Sequence, residues 1–214
     1  IRLGLVGSEM CIRDRLDLDI PFNDHLIGEA YFFKNKKINK PMDFSGKNYM
    51  SLVEQHNFLI QLIFPEISNS KSQLQLTESD YEFLLREMSM LPRESEFPKY
   101  GEDYYDSYCK FFIYGNSKER MPDHVKIFNK VGLAYGFLLD NAYIVDFENK
   151  IEFFLSAVVY SNSNGVLNDD SYDYDTLTIP FLADVGRAIY EYELQRDREF
   201  DPCLLYTSDA ADES

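Results

Sequence analysis

Two patterns of apolar spacing divide the chain. From Ser51 to Leu91 apolar residues recur at helical intervals, and from Ile127 to Tyr160 they run together in β-branched and aromatic blocks. Leu52, Leu59, Leu62 and Ile63 share one helical face, and Pro65 ends that run. Ser51-Leu52-Val53-Glu54 is a capping box: the serine accepts from a free amide, and the glutamate reaches back to the serine N–H. Thr77-Glu78-Ser79-Asp80 opens a second helix in the same way. Tyr81, Leu84, Leu85, Met88 and Leu91 form its stripe, and Pro92 closes it. A short helix is expected over Tyr104–Tyr114. Ile127–Phe147 reads as extended, with a bend at Asp140-Asn141, and Glu148–Lys150 reads as a tight turn. Ile151–Tyr160, "IEFFLSAVVY", is a nearly continuous apolar run, which predicts a central strand covered on both faces. Pro180 suits a first helical turn, and Phe181, Leu182, Val185, Ile189 and Tyr192 predict an amphipathic helix to about Arg196. Ahead of Ser51, "EAYFFKN" predicts one short strand and "INKPMDFSGKN" an extended connector. The order helix, helix, strand, strand, helix predicts an α/β class fold, an α+β sandwich of antiparallel strands with flanking helices, in a single domain.

The ends depart from this picture. "GLVGSEMCIRDR" near the start and "CLLYTSDAADES" at the end resemble translated sequencing adapter. The codons TGT CTC TTA TAC ACA TCT read Cys203 to Ser208, and GAG ATG TGT ATA AGA GAC AG- read Glu9 to Arg15. Those strings contain each other's reverse complement, as an adapter placed at both ends of an insert would. Ile1–Arg15 and Cys203–Ser214 are therefore set aside as scars, leaving Leu16–Pro202 as the natural part, expected to be an internal fragment.

This changes the chemistry available. Cys11 and Cys203 drop out, leaving Cys109, so no disulfide or cysteine metal site is expected. The scars hold three Arg and five Asp or Glu, so the remainder keeps 18 basic and 32 acidic residues, a net −14. That acidity excludes a phosphate-binding stripe and hence a nucleic-acid partner. Hydrophobic residues at 45% and aromatics at 15% suit a packed core. No apolar run reaches the roughly 18 residues a membrane span needs.

Most candidate sites fail on spacing. His25, His56 and His124 belong to no metal motif, and neither a Gly-rich phosphate loop nor a G-x-S-x-G elbow occurs. The acidic loop Asn168–Asp175 lacks the spacing and glycine of a calcium loop. Glu94, Glu96, Glu102 and Asp103 offer carboxylates with nothing to fix their geometry. No metal and no cofactor is expected.

Lys130-Val131-Gly132, within "IFNKVGLAYGF", stands apart. Two helices precede it, and two strands and a helix follow. This arrangement resembles the C-terminal part of the serine β-lactamase and penicillin-binding-protein family. There a K-[TS]-G motif lies on the strand edging the active site. "MSMLPRES", "YGNSKER" and "AYIVDFENKIEFFLSAVVY" resemble the Bacteroidota serine hydrolases of that group, and the resemblance covers about Ser51 to Leu194. It implies acyl transfer through a serine ester on a small-molecule or cell-wall-type substrate, β-lactam or peptidoglycan, in an exported or periplasmic enzyme. Lys130 would be catalytic, its ammonium lowering the cost of an alkoxide. Val131 and Gly132 would be substrate-binding, the glycine admitting the substrate backbone.

The sequence also departs from that pattern. Val131 lacks the hydroxyl that the family uses to hold a substrate carboxylate. Ser68-Asn69-Ser70-Lys71 matches S-x-x-K in a polar loop with no apolar helix behind it, and Tyr114-Gly115-Asn116 matches Y-x-N too close before Lys130. No R-x-E-x-x-L-N segment for a deacylating glutamate is found. The expected nucleophile therefore lies upstream of Leu16, and the fragment alone should be inactive. The alternatives are a non-catalytic binding module of the same fold and an unrelated acidic interaction domain.

Overall fold

A computed structural model describes residues 25–47, 50–67 and 74–198. Ile1–Arg15 and Cys203–Ser214, the segments expected to be scars, and the Ser68–Lys71 motif lie outside them.

The core is a three-stranded antiparallel meander: β5 (Val125–Ala134), β6 (Phe137–Asp146) and β7 (Ile151–Tyr160), in that spatial order. Ahead of it lie β1 (Leu26–Ile27), β2 (Ala30–Phe33), β3 (Lys36–Ile38) and β4 (Met42–Asp43), with helices α1 (Leu52–Ile63) and α2 (Glu78–Ser89). After it come β8 (Val166–Leu167) and helix α3 (Ile179–Gln195). β1 pairs with β4, while β2 pairs antiparallel with β3 and parallel with β8. The mixed class of helices and antiparallel sheets is as expected.

Both capping boxes form. Glu54 N–H donates to Ser51 Oγ at 3.0 Å, and Ser51 N–H to Glu54 Oε2 at 2.6 Å. Thr77 and Asp80 repeat the exchange at α2. The helices cover one face of the meander, where Leu59 and Ile63 pack on Tyr143 and Val145, with Leu85, Met88, Phe128 and Phe154 around them. On the opposite face Val125, Ile127, Leu138, Ala142 and Ile144 meet Leu182 of α3, and Phe111, Phe112 and Met121 from the preceding loop.

Four expectations are corrected. The chain reverses at Tyr135-Gly136, both at positive φ (54° and 85°), the signature of a two-residue hairpin turn, and not at Asp140-Asn141. Those two residues sit mid-strand in β6 and are buried, because distant groups satisfy their side chains. The central strand is β6, and β7 lies at an edge, with helices on its two faces. No helix spans Tyr104–Tyr114; a single 3-10 turn, Asp106–Cys109, replaces it. Finally, α3 turns Leu182, Ala183 and Gly186 inward and leaves Phe181 and Tyr192 exposed. The small residues decide this, since a Cβ on Gly186 would sit 2.4 Å from Ile113 N. The expected turn before β7 is present, capped by Asp146, whose Oδ1 accepts from Glu148 and Asn149 N–H.

Candidate functional site

Lys130-Val131-Gly132 lies on β5, at the other edge of the meander, opposite Asn141, Asp140 and Leu139. Side chains alternate across a strand. Lys130 and Gly132 therefore share the face covered by α1 and α2, while Val131 turns toward α3 and packs against the core there. The structure thus separates Val131's side chain from Lys130's.

Val131's backbone is a different matter. A two-residue hairpin closes on a hydrogen-bonded pair, here Ala134–Phe137, and such pairs alternate along an antiparallel ladder. Counting back, Gly132 and Lys130 bond to β6, whereas Val131 presents its N–H and C=O outward. The exposed Lys130 ammonium folds onto that outward carbonyl.

Gly132 has no structural demand for glycine. A Cβ there would meet only Leu139, at 3.8 and 3.9 Å, which is ordinary contact, and its φ is not positive. Gly136 contrasts with it: its φ is +85° and its Cβ would lie 2.9 Å from Ser161 O.

Beneath the edge runs a buried polar chain. Lys110 Nζ donates to Asn129 Oδ1 and Met88 O, each at 2.6 Å. Asn129 Nδ2 donates to Asp140 Oδ1 at 2.9 Å and Cys109 O at 2.8 Å. Asp140 Oδ2 accepts from Phe111 and Phe112 N–H. Burial pushes the Asp140 carboxyl up to about 6 against those bonds, and pushes Lys110 down to about 8 against the pull of Asp140. This chain clamps residues 109–112 to the strand that carries Lys130. Desolvation pushes the Cys109 thiol up, against the pull of the Lys110 and Lys130 ammoniums.

On the Lys130 face a second polar row crosses the sheet. Asn141 stands opposite both Lys130 and Ser156, and His56 Nδ1 lies 2.7 Å from Ser156 Oγ. A serine touching a histidine invites a nucleophile–base reading, but the proton count decides against it. Asn141 Nδ2 donates to Gln55 O at 2.9 Å, so its Oδ1 faces Ser156. Ser156 gives its one proton to that oxygen at 2.5 Å. His56 Nδ1 must then be the donor, and it cannot take the serine proton. The row is a staple joining α1 to β6 and β7. Burial lowers the His56 pKa, in keeping with a neutral ring.

The remaining candidates are dispersed. Asn116 accepts from Arg187 of α3, and Tyr114 packs on the α3 face, away from Lys130's face. His124 meets Glu148 at 3.1 Å at the far hairpin. Asp169 and Asp173 serve loop amides and hydroxyls. Among the described residues no His, Cys, Asp and Glu group could hold a metal, and no helix is long and apolar enough to cross a membrane. Sequence reasoning missed Asn129, Asp140, Asn141 and Ser156. Their only signal was polarity inside apolar strands.

Comparison with family models, with curated proteins and with solved structures finds no match.

Proposed function

We propose that this chain carries one wall of the active site of a β-lactamase-like serine hydrolase, which cleaves an ester or amide through an acyl-enzyme. The observation that carries this reading is Gly132. A strand-interior glycine costs stability relative to alanine, and here neither contact nor φ asks for it. It lies beside the exposed Lys130 and next to the outward backbone of Val131. That combination suits a substrate backbone laid along the strand edge, hydrogen-bonded at Val131 and unobstructed at Gly132.

Lys130 acts by charge. Its ammonium leaves the Val131 carbonyl, a solvent-exposed bond that costs little to break, and turns to stabilise a serine alkoxide or a substrate carboxylate. On this reading the nucleophile comes from upstream of Leu16, where the resembled family's S-x-x-K is expected, and not from Ser156, whose proton is committed to Asn141.

A fluorophosphonate probe, applied to the protein expressed from its complete gene, tests the proposal. The expected product is one serine adduct outside residues 16–202, with labelling slowed by excess penicillin if the substrate is a β-lactam relative. An adduct at Ser156, or none at all, sinks the reading. The second reading is a non-catalytic binding module of the same fold. It draws support from the missing hydroxyl at Val131 and from the Lys130 ammonium being satisfied within the chain. It predicts saturable ligand binding without covalent labelling.

A further inference from the structure

The loop before β5 carries an aromatic array that the proposed site does not use. Tyr100, Tyr104 and Tyr108 are 43%, 40% and 47% exposed, and Phe97 is 95% exposed. The rings contact each other in series: Tyr100 to Tyr104 at 5.0 Å, Tyr104 to Tyr108 at 4.8 Å, and Tyr108 to Tyr105 at 6.2 Å between centroids. Among the described residues none of the four tyrosine hydroxyls has a hydrogen-bond partner. Such a cluster on a surface marks a site of contact.

The segment is held in place. Arg93 Nε bonds both Asp106 oxygens at 2.9 and 3.0 Å, Met121 N–H donates to Asp106 at 2.9 Å, and Ser95 Oγ donates to Pro98 O at 2.8 Å. The array is therefore preorganised, which lowers the entropic cost of binding.

Two observations specify the partner. Glu96, Glu102 and Asp103 are exposed in the same segment and, among the described residues, have no ion-pair partner. Lys118 Nζ already lies over the Tyr105 ring at 5.6 Å, so a ring of this array receives an ammonium. Leu16–Pro202 carries 18 basic and 32 acidic residues, a net −14 that steers cations toward it.

We propose that the Tyr100–Tyr108 array docks a cationic polypeptide segment, its Arg or Lys side chains lying on the tyrosine faces and pairing with Glu96, Glu102 and Asp103. This goes beyond the proposed hydrolase site and stands or falls separately from it.

The test is fluorescence anisotropy with labelled octa-arginine at about 150 mM salt, where long-range attraction is screened. The protein is compared with Tyr100→Ala/Tyr104→Ala/Tyr108→Ala, with Glu102→Lys/Asp103→Lys, and with Asp169→Asn/Asp170→Asn in the distant acidic loop. Circular dichroism melts of each variant confirm folding. The tyrosine and charge-reversal variants should each bind about tenfold more weakly or worse, and the loop variant within about twofold of the parent. Equal weakening by all three variants would mean diffuse attraction and overturn the proposal. So would unchanged binding in the tyrosine variant. An N-acetylglucosamine oligomer that binds and loses binding in the tyrosine variant, while octa-arginine does not, would reassign the array to glycans.

Discussion

Gly132→Ala separates a glycine kept for the fold from one kept for a ligand. The added methyl would project onto the α1 face and meet Leu139 Cδ2 and Cβ at 3.8 and 3.9 Å, with nothing else within 4 Å among the described residues. No strain arises, because φ is not positive there. What remains is the loss of unfolded-chain freedom, worth about 0.4–1 kcal/mol in favour of alanine. For a chain of this size that raises Tm by about 1–4 °C. Thermal melting by circular dichroism reads it directly. In the protein expressed from its complete gene, the same methyl narrows the approach beside Lys130, and acylation by a fluorophosphonate should slow by about tenfold or more. A stabilised but slowed variant supports the site. A variant destabilised by more than about 1 kcal/mol would show that the glycine serves the fold, and the reasoning from Gly132 would fail.

Gly186→Ala is the opposite case: its Cβ would fall 2.4 Å from Ile113 N, so α3 must shift, and urea unfolding should report a loss of about 2–3 kcal/mol. Lys110→Met leaves the buried Asn129 Oδ1 and the part-buried Met88 O unpaired and Asp140 without its counter-charge, and should cost about 3–5 kcal/mol by the same assay. Ser156→Ala removes the group that His56 donates to and the proton that Asn141 accepts, for an expected loss of about 1–3 kcal/mol, whereas a catalytic Ser156 would abolish labelling instead. The pH dependence follows from Asp140. Its folded pKa, about 6, exceeds the ordinary 3.8, so the folded state holds a proton that the unfolded state has lost between those values. Its contribution to stability is present below about pH 4 and is lost as pH rises through about 6. Urea midpoints of the parent relative to Asp140→Asn should fall over that window, and a flat difference would contradict the burial argument.

Local signals in the sequence read correctly where the physics is local. The capping boxes at Ser51 and Thr77 need only four residues each, and both formed. The Glu148–Lys150 turn follows from Asp146 accepting from the amides two and three residues on. Errors arose where a partner lies far along the chain. Asp140-Asn141 looked like a bend because two polar residues interrupt an apolar run. Their partners, Phe111 N–H and Gln55 O, lie 29 and 86 positions away. The rank of β6 and β7 was misread for a related reason: apolar content reports covered faces, and both strands have helices on their faces, so it cannot say which strand pairs on two edges. At the site, the letters of Lys130-Val131-Gly132 were visible, but the outward direction of Val131's backbone required the turn at Tyr135-Gly136. The polar row through His56 and Ser156 spans 100 positions and left no pattern to read.

Action of Lys130 on a serine from the edge of β5 is measured most directly by the acylation rate. The protein from the complete gene and its Lys130→Ala variant are reacted with the same fluorophosphonate, and the adduct is followed by intact mass. Loss of a fixed charge at the nucleophile should slow acylation by about 10²-fold while leaving the melting temperature within about 2 °C, because Lys130 is exposed and, among the described residues, bonds only to its neighbour. Equal rates in the two proteins, or no serine adduct in either, would contradict it.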